Sequence, residues 1–212
     1  MKLVVGGCSF SSSFNVELDQ SWPAVAAKRL EIEYIDQART QGSNWRIWRT
    51  ITNHILDGKV TPKDIVVIQY TEPHRQEIWS PVAPTHPDPK VHEPYDEGKL
   101  FKFKYGSDMY AEGAERSLSK IMFRFSNETY EIERFRVHHH MFCGFLKQQG
   151  FKRVYFLDTI YSPFEQYPQT VFDGYPIING RHLLKYHLPG DTWHLSADGH
   201  RRAADLVLDH II

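Results

Sequence analysis

The sequence predicts an α/β domain built on a mainly parallel sheet, and three observations carry that expectation. Short apolar runs at 3–5, 64–70 and 153–157 have the unbroken, β-branched character of strands covered on both faces. Between them lie stretches of helical periodicity, the plainest being Ile47, Ile51 and Ile55. Strand and helix alternate along the chain, which calls for crossover connections and hence parallel pairing.

The elements follow in order. Leu3-Val4-Val5 reads as a buried strand stopped by Gly6-Gly7. A serine-rich loop leads to Ser21-Trp22-Pro23, a helix start with a capping serine and a first-turn proline, and Val25, Ala26 and Leu30 supply the apolar face. Tyr34 to Asp36 is a weak second strand, and Gly42-Ser43-Asn44 opens a helix that ends at Gly58. Asp64 to Tyr70 is the clearest strand of the chain. From Pro81 onward five prolines bar both helix and central strand, so 81–113 reads as a proline-rich insertion over the site. Ser117 to Gln149 is helical in character, either one long helix or two with a break near Ser126-Asn127, and crosses over to a strand at Arg153 to Leu157. Tyr161 to Gly190 reads as irregular, after which Ser196 caps a last helix with Ala203, Val207 and Ile211 inward.

At 212 residues, with no linker-like stretch, the chain is expected to be a single domain, 1–212. A net charge of −1 and no dense basic stripe give no reason to invoke nucleic acid. Two cysteines, Cys8 and Cys143, are too few for a disulfide framework and lack zinc-type CxxC spacing. The amino-terminal apolar run is too short for a signal peptide and no segment suits a membrane span. The expectation is a protein that is cytoplasmic, or otherwise not exported by a signal peptide, with no membrane partner and no cofactor.

Two distant segments make chemical sense together. Ser9 stands just past the first strand, and Asp191 precedes His194 by three residues in Asp191-Thr192-Trp193-His194. A serine hydroxyl becomes a nucleophile when a neutral imidazole takes its proton, and the imidazole needs a partner to fix its tautomer and stabilise its cation. Loops at the carboxyl ends of parallel strands converge on one crevice, so the serine can meet the pair there. Because the base must be neutral, activity is expected to rise with pH through roughly 6–7. Cys8 is read as a small half-buried thiol, not the nucleophile.

The chain resembles the SGNH hydrolases, the GDSL-like esterase and lipase family. Gly7-Cys8-Ser9-Phe10-Ser11 looks like the first family block, with Cys8 where the usual aspartate stands, and Asp191 to His200 looks like the last. The resemblance implies a three-layer α/β/α flavodoxin-like fold, Ser9, His194 and Asp191 as the catalytic triad, and the Ser9 and Gly42 backbone N–H groups as oxyanion donors. The family's third block, G-x-N-D, is replaced here by Gln69-Tyr70-Thr71-Glu72. Thr71 occupies the donor position, with Asn44 or Arg75 as alternative donors. Trp45, Arg75 and Trp193 beside the motifs are the substrate-binding candidates, and the aromatic set suits a sugar ring or acyl chain. The implied activity is hydrolysis of short-chain acyl esters, carbohydrate O-acetyl esters among them, through an acyl-enzyme. An acyltransferase with the same triad, or a catalytically silent glycan- or protein-binding module, is the alternative.

Other patterns have simpler readings. His138-His139-His140 is read as a solvated or half-buried helix face, since consecutive helical residues diverge by about 100°. His74, His86, His92, Asp88 and Glu93 lack any metal-motif order, so a metal is not required. Lys99, Lys102 and Lys104 alternating with Phe101, Phe103 and Tyr105 suit an amphipathic strand with one wet face.

Overall fold

The computed structural model describes residues 1–14, 16–39, 42–73, 75–79, 100–104, 128–159, 171–190 and 194–212. Eight strands and four α-helices lie among them: β1 (Lys2–Gly7), α1 (Trp22–Arg29), β2 (Glu33–Ala38), α2 (Asn44–Leu56), β3 (Ile65–Gln69), β4 (Arg75–Trp79), β5 (Leu100–Lys104), α3 (Glu128–Gln148), β6 (Val154–Asp158), β7 (Val171–Phe172), β8 (Tyr175–Asn179) and α4 (Ala197–Ile211). The main sheet runs β2-β1-β3-β6-β8-β7, parallel throughout except for β7 at the edge. Strands β4 and β5 form a separate antiparallel pair.

Side chains alternate across this sheet and define two cores. Leu3, Val5, Ile65 and Val67 pack with Trp22, Ala26, Ala203 and Val207 of α1 and α4. Val4, Val66 and Ile68 pack with Ile47 and Ile51 of α2 and with Phe135, Phe142 and Leu146 of α3. The sheet is therefore covered on both faces, which is why its central strands are apolar at successive positions. The result is a three-layer α/β/α fold.

Three expectations need correcting. Gly6 and Gly7 do not stop β1 but continue it, pairing with Gln37 and Ala38 of β2. Gly6 sits under α2, where a Cβ would come within 2.9 Å of Ile47 Cγ2, so glycine here permits close helix–sheet packing. The segment read as irregular contains β7, β8 and a 3-10 helix at Arg181–Tyr186. Strands β7 and β8 join through Asp173 (φ 49°) and Gly174 (φ 85°), two left-handed residues that match the twist of a tight hairpin. The third correction concerns the end of the first loop. Ser21 is the residue before α1, but its hydroxyl donates to the Leu18 carbonyl at 2.8 Å. The Trp22 N–H at the start of the helix is instead accepted by Nδ1 of His200 in α4, at 3.1 Å.

Helix α3 spans Glu128–Gln148 within the stretch read as helical. Ser117 to Asn127 lies outside the described residues, as do 81–99 and 105–113 of the insertion; β5 falls where the alternating lysine and aromatic pattern predicts a strand.

Candidate active site

Strand β1 ends at Gly7 and the chain turns at once, with the Ser11 and Ser12 N–H groups both donating to the Cys8 carbonyl at 3.0 and 3.1 Å. Ser9 lies on this turn, half-buried between buried Cys8 and Phe10. Gln69, the last residue of β3, holds the turn in place. Its Oε1 accepts the Cys8 N–H at 3.0 Å, the Cys8 thiol at 3.2 Å and the Ser11 hydroxyl at 3.3 Å. Its Nε2 donates to Thr159 Oγ1 at 3.1 Å and to the Tyr70 carbonyl. Ser11 in turn accepts Trp22 Nε1–H at 3.1 Å, so it is a buried structural residue and not a spare loop serine. Gly7 allows this clustering: a Cβ there would meet Ser11 Cβ at 2.8 Å and Gln69 Oε1 at 3.0 Å. The Cys8 thiol points into this network, in agreement with a packing role.

The expected oxyanion donors gather at the neighbouring strand ends, several already engaged. Gly42 is buried, and its N–H donates to the Arg39 carbonyl at 2.9 Å. Ser43 caps α2 by accepting the Arg46 N–H at 3.1 Å, which places Asn44 in the first turn. The Asn44 amide makes a two-way pair with the backbone of Thr71: Nδ2 donates to the Thr71 carbonyl and Oδ1 accepts the Thr71 N–H, both at 2.9 Å. This pair fastens the start of α2 to the loop after β3. It commits the Thr71 N–H and one Asn44 amide hydrogen, and leaves the Thr71 hydroxyl outside the pairing.

His194 comes from the other end of the chain. Its carbonyl accepts the Leu188 N–H at 2.9 Å, Leu195 next to it is buried, and Ser196 caps α4 by accepting the Gly199 N–H at 3.2 Å. The imidazole lies against the ring of Phe14, centroid to centroid 4.3 Å. Phe14 belongs to the loop that carries Ser9, so the two distant sequence blocks are in contact. Asp191 and Trp193 lie outside the described residues.

Trp45 and Arg75, two of the substrate-binding candidates, line one cavity of about 260 Å³ with Asn44. Helix α3 supplies the opposite wall through Arg134, Phe135 and His138. The His138 ring stands 5.2 Å from Trp45 and 5.5 Å from Trp48. Burial, with the Arg134 charge adding to it, lowers the His138 pKa and keeps that ring neutral. Arg75 Nε pairs with Glu72 Oε2 at 2.8 Å, while its Nη1 is buried without a hydrogen-bond partner among the described residues. A buried guanidinium nitrogen without a partner, on a residue that lines a cavity, can donate to a ligand oxygen once the side chain turns toward it.

The histidine run is not one solvated face. His139 is fully buried, and its Nδ1 lies 2.8 Å from Tyr70 Oη, whereas His140 is exposed and pairs with Asp173 at 3.0 Å. Sequence reasoning gave Gln69 and Ser11 no role of their own and read His139 only as part of a helix face. Their type is common, and only the partners brought by the fold give them a role.

No protein-family model matches the chain, and no curated protein sequence does. Solved structures do. A protein of the G-D-S-L family described as lipolytic, from Desulfitobacterium hafniense DCB-2, aligns over 100% of this chain and 99% of its own with a TM-score of 0.60 at 10% identity. A lipolytic G-D-S-L family protein from Veillonella parvula DSM 2008 aligns over 99% and 97% with a TM-score of 0.57, again at 10% identity. The psychrotrophic esterase EstA from Pseudoalteromonas sp., in a structure inhibited by monoethylphosphonate, aligns over 98% and 94% with a TM-score of 0.53 and 10% identity. The chain thus shares the fold of these three structures. Among the described residues no helix is long and apolar enough to cross a membrane.

Proposed function

We propose that the protein is a serine esterase in which Ser9 attacks an ester carbonyl, His194 takes the hydroxyl proton, and Asp191 orients the imidazole. The observation that supports this reading is the 4.3 Å contact between His194 and Phe14, a residue of the loop that also carries Ser9. In the first step the Ser9 oxygen bonds to the carbonyl carbon, and the proton held by His194 passes to the departing alcohol. Water then enters and bonds to the acyl carbon as it gives a proton to His194, which passes that proton to the Ser9 oxygen as the acid departs. The Ser9 N–H, the Thr71 hydroxyl and the second Asn44 amide hydrogen are the donors for the oxyanion. Gly42 joins them when its bond to the Arg39 carbonyl opens or is shared. The aromatic cavity beside Asn44, of about 260 Å³, suits a short acyl group or a sugar-borne acetyl ester, with Arg75 Nη1 donating to a substrate oxygen.

One observation favours a second reading. The Gly42 and Thr71 N–H groups are both engaged inside the protein, as in a binding module that keeps the fold without the chemistry. A fluorophosphonate probe separates the two. Labelling at Ser9, abolished in Ser9→Ala and His194→Ala, with ester turnover reduced by at least ~10⁴-fold in Ser9→Ala, is the expected result. A folded protein that neither labels at Ser9 nor cleaves short-chain aryl and sugar acetate esters would overturn the esterase reading.

A further inference from the structure

Outside the proposed catalytic residues, a buried nucleophile and two other ligand-type groups meet where α3 crosses the β7–β8 turn. His139 and Cys143 stand four residues apart on α3, so they share a face of the helix. Asp173 reaches them from the turn. Cys143 Sγ lies 3.4 Å from His139 Nε2, His139 Nε2 lies 3.9 Å from Asp173 Oδ2, and the ligand atoms of all three fall within 4.8 Å of one another.

We propose that His139 Nε2, Cys143 Sγ and Asp173 Oδ2 form a zinc-type metal site that pins α3 to the β7–β8 hairpin. Tetrahedral zinc, with bonds of about 2.3 Å to sulfur and 2.0–2.1 Å to nitrogen and oxygen, requires S···N near ~3.5 Å and N···O near ~3.4 Å. The first separation is already met. The second needs a shift of about half an ångström by Asp173, whose partly exposed turn can supply it, and the same movement must bring its carboxylate from within 4.8 Å of Cys143 Sγ to about 3.5 Å. One thiolate, one carboxylate and one neutral imidazole neutralise a divalent cation and match the mixed S/N/O preference of zinc. Water completes the fourth position.

The surroundings orient these ligands. Tyr70 Oη lies 2.8 Å from His139 Nδ1 and accepts Trp48 Nε1–H at 2.9 Å. A phenolic oxygen has lone pairs for both donors, so it can hold the His139 proton on Nδ1 and leave Nε2 to the metal. His140 Nδ1 stands 3.0 Å from Asp173 Oδ2 and braces that carboxylate from the solvent side. Without an ion, burial holds the imidazole neutral, its pKa lowered to about 4, and pushes the thiol up to about 12. Binding therefore expels the thiol proton, releasing one proton per ion.

Cobalt titration of the reduced, chelator-stripped full chain tests the assignment, because a cobalt–thiolate bond has its own charge-transfer absorption. The expected result is one equivalent bound, with that band displaced by zinc, lost in Cys143→Ser and requiring at least tenfold more cobalt in Asp173→Asn. Far-UV circular dichroism checks the fold of each variant. A folded wild-type chain with no cobalt–thiolate band, or a band that survives Cys143→Ser, overturns the proposal. Should Cys143→Ser not fold, Asp173→Asn at the exposed turn decides alone: unchanged cobalt affinity overturns it, and the tenfold loss upholds it. Ester turnover plays no part in this readout.

Discussion

Replacing Gln69 by leucine keeps the side chain's bulk and removes its polar end, which makes it a clean test of how the Ser9 turn is held. The Cys8 N–H and the Ser11 hydroxyl, both buried, lose the acceptor that Gln69 Oε1 provides at 3.0 and 3.3 Å. Thr159 Oγ1 and the Tyr70 carbonyl lose the donor on Nε2. Leaving a buried polar group unpaired costs about 1–3 kcal/mol, and among the described residues Gln69 Oε1 is the acceptor that serves both the Cys8 N–H and the Ser11 hydroxyl. Leucine burial offsets part of that, so a net destabilisation of about 3 kcal/mol is expected. Urea unfolding followed by circular dichroism measures it as a lowered midpoint at unchanged slope. The released turn carries Ser9, so ester turnover per folded molecule is expected to fall by about tenfold or more, with kcat affected more than KM. A loss of stability below about 1 kcal/mol together with unchanged turnover would refute the view that Gln69 anchors the Ser9 turn.

Two further predictions rest on other contacts. His200 is buried with its pKa lowered to about 4, and its neutral Nδ1 accepts the Trp22 N–H that opens α1. The unfolded chain takes up that proton first as pH falls, so this contribution is complete above about pH 6.5 and lost toward pH 4. The loss between about pH 7.5 and 5 is about 2 kcal/mol. Buried His139 adds in the same direction, so the measurement is the difference in urea midpoints between wild type and His200→Gln at the two pH values; an unchanged difference would count against the cap. Asn44→Leu removes both bonds to the Thr71 backbone and is expected to cost about 2 kcal/mol and about 10²-fold in ester turnover, whereas Asn44→Asp keeps only the acceptor and falls between. Thermal melts and initial rates on a short-chain ester check the ranking.

The hairpin of β7 and β8 shows what a sequence can carry unread. Phe172-Asp173-Gly174-Tyr175 is an Asp-Gly pair between apolar residues, a strong hairpin signal, yet the surrounding prolines and short strands mask it. The same holds at Gly6-Gly7, where glycine reads as a stop and instead serves close packing under α2. The β4–β5 pair lies apart from the main sheet. Its second strand was legible from alternation, but its partner at Arg75–Trp79 was not, because pairing across an intervening insertion leaves no local trace.

By itself the sequence determined the strand and helix alternation, the capping serine at 196, and the residue types of a serine–histidine–aspartate set at its two ends. Those properties are local, written in periodicity and in side-chain chemistry along a few neighbouring residues. The tertiary structure alone decided that Phe14 meets His194, that Gln69 holds the Ser9 turn, that His200 caps a helix far from it in the chain, and that His139 meets Cys143 and Asp173. Contacts between residues far apart in the chain depend on how parallel strands are ordered and which face each helix covers. That ordering is set by the packing of the whole core, and no single segment encodes it.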